Sequence, residues 1–164
     1  MFRKTLLALF GILIIIQFIR PEKNNSVAAS PNDITQHYAV PDDALSIIKR
    51  SCYDCHSNHT DYPWYFNIQP VAWWMQNHVN DGKREINFSE FNSYPAKKQS
   101  HKLHEVIEQI KNDEMPIDSY LWIHKNAKLN DEQKKIVTGW ADSLQQMIIK
   151  KNNLPAETEE HRKE

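Results

Sequence analysis

The chain has 164 residues, 25% charged and 40% hydrophobic, which suffices for one modest core with terminal appendages and leaves no room for two. Lys and Arg number 20 against 21 Asp and Glu, so a nucleic-acid partner has no basic surplus to bind. Three glycines also argue against phosphate-cradling loops of the dinucleotide or P-loop kind.

Met1-Phe2-Arg3-Lys4 leads into an apolar stretch from Thr5 to Ile19, broken only by Gly11 and Gln17 and ended by Arg20-Pro21. A basic start before an apolar run is the layout of an export signal, although a spanning helix wants roughly seventeen residues or more. Residues 1–20 are read as a signal sequence or, in preference, an uncleaved membrane anchor. Val27-Ala28-Ala29 resembles a cleavage site, but it lies beyond a charged stretch, Arg20 to Lys23, that is unusual there. Arg3 and Lys4 hold the near end in the cytoplasm, which puts the rest on the periplasmic face of the cytoplasmic membrane. Residues 21–36, small, polar and bounded by proline, read as a flexible linker. A folded domain over 37–150 follows.

Pro41-Asp42-Asp43 opens a helix carried by Ala44, Leu45, Ile47 and Ile48, with Lys49 and Arg50 near its end, a charge order that suits the helix dipole. The helix runs into Cys52-Tyr53-Asp54-Cys55-His56. C-x-x-C-H is the attachment signature of c-type haem, in which two thiols add across the porphyrin vinyls and the adjacent imidazole binds iron. Two cysteines three apart share one face of a helical turn and reach one edge of the macrocycle, while His56 points across it. Two readings compete. A redox disulfide of the thioredoxin type belongs in a βαβ context, and nothing in the chain alternates strand and helix. A zinc module would use Cys52, Cys55 and His59 with one distant histidine, but lacks a compact second ligand pair.

Residues 57–70 form a loop carrying Tyr62-Pro63-Trp64-Tyr65-Phe66, either a surface cluster or a cover for a haem edge. A carbonyl near Pro63 or Pro70 is expected to accept the Nδ1 proton of His56. Val71 to Val79 reads as a short helix bearing Trp74, Met75 and His78, stopped by Asp81-Gly82. Lys83-Arg84 then stands as a solvated turn or as a partner for haem propionates. From Pro95 to Asn112 the pattern is helical, with Leu103, Val106, Ile107 and Ile110 on the buried stripe and His101 and His104 on its margin. Next comes Glu114-Met115-Pro116. A methionine before a proline on a loop is a candidate sixth iron ligand, a neutral soft donor on a stiffened segment. Its rivals are His78, His124 and Met75, then His101 or His104.

The last helix runs from Asn130 to about Lys150. Asn130 with Gln133 makes a capping pair, and Ile136, Val137, Trp140, Leu144, Met147 and Ile148 make its apolar face. Residues 151–164 are a charged tail with no packing pattern.

The order helix, C-x-x-C-H, aromatic loop, Met-Pro loop and terminal helix resembles class I c-type cytochromes. More closely, Ser51 to His56, Tyr62-Pro63-Trp64-Tyr65, Ile68 to Trp74, His78 and Glu114-Met115-Pro116 resemble the small exported bacterial haem-binding domain family. The resemblance covers roughly residues 37–150. It implies an all-α, cytochrome-c-like domain with Cys52 and Cys55 as thioether positions, His56 as proximal ligand and Met115 as distal candidate. The insertion between His56 and Met115 is where the chain departs from ordinary cytochromes. The expected function is single-electron transfer by a membrane-tethered monohaem protein holding haem c and its iron, toward a redox partner the residues do not identify. The alternatives are a five-coordinate haem protein acting as a peroxidase or sensor, and a haem-free zinc or disulfide module.

Overall fold

The computed structural model describes residues 2–26 and 28–155. Val27 of the candidate cleavage site and most of the charged tail, 156–164, lie outside them. The described chain is all helical: α1 (Phe2–Ile16), α2 (Ile34–His37), α3 (Asp42–Ser51), α4 (Tyr53–His56), α5 (Val71–Glu85), α6 (Ala96–Lys111), α7 (Asp118–Leu121) and α8 (Asp131–Asn152), with short 3-10 turns between. No strand forms among the described residues, and a single bridge pairs Asn25 with His59.

The core is built on α6 lying along α8, with α3 closing one side. Leu103, Ile107 and Ile110 of α6 meet Val137, Trp140, Ala141, Leu144 and Ile148 of α8, and Ala44, Ile47 and Ile48 of α3 join them. All are buried, as the 3.6-residue periodicity of each segment requires. Val106 packs at the edge of this cluster. α8 starts where its capping box does, Asn130 Oδ1 accepting from Gln133 N at 2.9 Å while Gln133 Oε1 accepts from Asn130 N at 3.1 Å. The buried stripe of α8 also takes in Ala141 and Gln145, which rotates the face away from Met147. Met147, expected inside, is 54% exposed.

Two further expectations differ from the structure. Residues 21–36 are tied to the domain: Thr60 N donates to Asn24 O, Ser26 N donates to Asn58 O, and Ile34 of α2 enters the core. Asn24, Asn32 and Asp33 supply the polar partners, so a segment read as flexible from its composition is held by hydrogen bonds. The helix expected to stop at Asp81-Gly82 continues to Glu85. At the N-terminus α1 has 15 residues, none of them buried, and no described helix is long and apolar enough to cross a membrane.

Candidate functional site

The C-x-x-C-H motif sits where α3 ends. Cys52 caps α3 with φ −127°, breaking the helix, and α4 restarts as a single turn over Tyr53–His56. That turn is wedged between α3, α5 and the 3-10 turn Phe88–Ser93. Cys52 and Tyr53 pack on the core's edge, Tyr53 stacks on Phe88 at 5.7 Å, and His56 meets Phe88 edge-on at 6.5 Å.

Asp54, between the cysteines, fastens the turn from the outside. Its Oδ1 accepts from Asp61 N at 3.1 Å, its Oδ2 from the Tyr120 hydroxyl at 2.6 Å, and its carbonyl from Thr60 Oγ1 at 2.6 Å. Burial together with this bond to Asp54 pushes the Tyr120 hydroxyl far above its ordinary pKa. The motif spacing did not mark either residue.

His56 is oriented by α5. Its Nδ1 lies 2.8 Å from Gly82 O and 3.1 Å from Ile86 O. Both partners are carbonyls, so Nδ1 carries the proton and donates, which leaves the Nε2 lone pair for a metal. The acceptors expected near Pro63 or Pro70 are therefore replaced by carbonyls at the C-terminal end of α5, where a helix has acceptors to spare. Burial lowers the His56 pKa, against the opposing pull of the Ile86 and Gly82 hydrogen bonds and the Glu85 charge, so the imidazole is held in the neutral form a ligand needs. Gly82 explains why α5 passes so close: a Cβ there would sit 2.6 Å from Cys55 O and 2.9 Å from Cys55 Cβ. Glycine is present for close approach, and the helix continues through it.

Two cavities flank this arrangement. One, of about 340 Å³, is lined by Cys52, His56, Ile86, Phe88, Ile110 and Met115 and is rimmed by Glu85, Lys102 and Glu105. The second, of about 150 Å³, is lined by Cys52, Cys55, His56, His78, Met115 and Tyr120, among others. Met115 thus lines both cavities that His56 lines. Its loop is fixed by Gln109 O, which accepts from both Glu114 N and Met115 N, and by Asp113, which turns the chain at φ 59° while its carboxylate pairs with Lys134 of α8.

The other ligand candidates stand differently. His78 lines the smaller cavity, with its Nδ1 2.8 Å from Trp74 O. Met75 and His124 line a separate space of about 70 Å³ beyond Cys55, and His124 stacks on Tyr120 at 4.1 Å. His101 and His104 pair with Glu105 and Glu108 along α6, and neither lines a cavity with His56. Lys83 donates to Asn24 Oδ1 and Arg84 pairs with Asp81, so both cations have protein partners.

The lining suits an apolar group with a polar edge beside Cys52, Cys55 and His56. Both cysteines are free, and burial pushes Cys52 up to about 12 and Cys55 up to about 11, so they stay protonated at neutral pH. Beside them Arg50 Nε and Nη2, Ser51 Oγ and Tyr53 Oη are buried without a hydrogen-bond partner. Orphaned donors cost free energy, and of these residues Ser51 lines the smaller cavity. Lys102 closes the far rim, bonding Glu85 of α5 at 3.2 Å and Glu105 within α6. A family model described as a haem-binding domain matches residues 11–143. No curated protein and no solved structure matches the chain.

Proposed function

The chain belongs to the haem-binding domain family, and we propose that it is a membrane-tethered monohaem c-type cytochrome that passes one electron at a time. Cys52 and Cys55 are its thioether positions, His56 its proximal ligand and Met115 its sixth ligand. The observation that carries this reading is that His56, with Nδ1 committed to Gly82 and Ile86, lines both of its cavities together with Met115 and Cys52.

Bound haem supplies an iron that alternates between two charge states. Each thiol adds across a vinyl, forming one carbon–sulfur bond while its hydrogen passes to the neighbouring vinyl carbon, so attachment needs no oxidant. The carbonyls of Gly82 and Ile86 fix the tautomer of His56 and raise its basicity. Met115 offers a neutral sulfur, which favours the lower charge state and a relatively high potential. Ile86, Phe88 and Ile110 give the pocket apolar walls, so little reorganises as the charge changes. α1, apolar and exposed, is the tether to the periplasmic face of the cytoplasmic membrane.

His78 supports a second reading, since it shares the smaller cavity with His56 and could serve as a base beside an open iron position in peroxide chemistry or sensing. The zinc module has no support: among the described residues no group of three or more His, Cys, Asp or Glu could hold a metal ion.

The test is an intact mass taken after acidified-acetone extraction of the full chain made in a host that matures c-type haem. The wild type retains the mass of one haem, and the Cys52→Ala/Cys55→Ala chain does not. Haem extracted from the wild type would overturn covalent attachment.

A further inference from the structure

The large apolar side chains left exposed beyond Ile19 are not scattered. Among the described residues all but Met147 fall within 64–74 or at 122–123: Trp64 is 75% exposed, Trp122 72%, Ile123 63% and Trp74 47%, with Ile68 and Val71 beside them. The two stretches meet, because Tyr65, Trp74 and Ile123 line one cavity. Solvent exposure of one tryptophan is ordinary; Trp64 and Trp74 flanking Ile68 and Val71 in one segment, with Ile123 sharing a cavity with Trp74 and Trp122 next to it in the chain, form a patch that calls for a partner.

The patch is bolted to the foot of α1. Gln69 N donates to Gln17 Oε1 at 2.9 Å, and Gln17 Nε2 donates to Gln69 O at 3.2 Å. The Ile19 carbonyl accepts from Gln69 Nε2 at 2.9 Å and from Trp73 Nε1 at 3.0 Å, while Arg20 donates to Asn67 O at 2.8 Å. The domain therefore meets the end of the apolar stretch through the same segment that displays Trp64 and Trp74.

The length of α1 decides what covers this face. Fifteen residues rise about 22 Å, short of a hydrocarbon core of roughly 30 Å. An apolar segment shorter than the bilayer draws its flanking residues into the interface, and tryptophan is the side chain that settles at headgroup depth.

We propose that the patch formed by 64–74 and 122–123 is a lipid-docking face that sits in the headgroup layer beside α1 and holds the domain against the membrane. This rests on the tether reading above. The cavity under the patch is also lined by Cys55, so the Cys55 side of the site faces the bilayer. None of the patch residues lines the larger cavity rimmed by Glu85, Lys102 and Glu105, so that side is left clear for a protein partner.

The test is hydroxyl-radical footprinting of the full holoprotein in phosphatidylethanolamine/phosphatidylglycerol vesicles, each residue's labelling normalised to the urea-unfolded chain. Phe10 reports on α1, and Met147, exposed on α8, is the internal control. The proposal predicts that Trp64 and Trp122 lose most of their labelling along with Phe10 while Met147 keeps its own. Protected Phe10 with Trp64 and Trp122 labelled like Met147 overturns the docking face and leaves the tether standing. An unprotected Phe10 overturns the tether, and the docking face with it. Protection of the tryptophans that rises with the protein-to-lipid ratio assigns the face to a second copy of the chain and likewise overturns the proposal.

Discussion

Gly82 sits in a helix interior, where glycine costs about 1 kcal/mol relative to alanine. It is held there by Cys55, whose backbone carbonyl would be 2.6 Å from an added Cβ. A backbone atom cannot swing aside as a side-chain end can, so overpacking of about 1–3 kcal/mol outweighs the propensity gain. Gly82→Ala is accordingly expected to lower stability by up to about 2 kcal/mol net in urea unfolding, and to disturb the His56 spectrum because Gly82 O is an acceptor for its Nδ1. Glu90 makes a different prediction. Burial raises its pKa, but hydrogen bonds from Asn32, Ser30 and Asn58 and the Lys83 charge outweigh this and hold it below the ordinary 4.5. A depressed carboxyl contributes stability that is complete above its unfolded pKa and lost as pH falls through its folded one. Glu90→Gln should therefore cost on the order of 0.5–1 kcal/mol at pH 7, a modest figure because the site is partly exposed, and the difference from wild type should shrink as pH falls below 4.5 in pH-dependent thermal unfolding.

Among the elements, α8 owes its start to Asn130 and Gln133. Removing the cap with Asn130→Ala is expected to cost about 0.5–2 kcal/mol, visible as a lower midpoint in thermal unfolding with the haem spectrum unchanged. This helix was legible in the sequence because cap, acidic first turn and apolar period all fall within local windows; read as Asn130 to about Lys150, it runs Asp131–Asn152. The same holds for α3 and α6, and for the motif that ends α3. What could not be read locally were the contacts between segments far apart in the chain. Gly82 looks like a terminator until Cys55, 27 positions earlier, is placed against it. The proline loop is the nearest source of partners for His56 Nδ1 in the sequence, but they come from the end of α5, whose length depends on the nature of Gly82. Residues 21–36 carry the composition of a linker, and only Ser57 O, Asn58 O and Thr60 show why Asn24 and Ser26 are fixed. Among six candidate sixth ligands the sequence offered types and no distances; Met115 shares both cavities of His56, His78 lines the smaller of them and also the space lined by Met75 and His124, and the α6 histidines line none of the three.

At the scale of the whole molecule, the proposed reading arranges the parts in a sequence from membrane to metal. Ile19 and Arg20, just past α1, meet the 67–73 segment through hydrogen bonds, that segment opens α5, and the far end of α5 orients His56. α5 is thus the strut between the N-terminal apolar stretch and the site, and Met115 reaches the site from the other direction, on a loop tied to α6 and α8. In the proposed reading these two halves would give a haem iron two donors from separate parts of the chain, an arrangement suited to carrying an electron without opening a coordination site. The measurement that tests this most directly is the absorption spectrum of the full holoprotein, oxidised and reduced, with and without carbon monoxide, beside Met115→Ala and His78→Ala. The account predicts a low-spin wild type indifferent to carbon monoxide, a Met115→Ala protein that turns high-spin and binds it, and a His78→Ala protein like wild type. A wild type already high-spin and binding carbon monoxide would contradict Met115 as the sixth ligand and transfer the reading to an open iron site with His78 beside it.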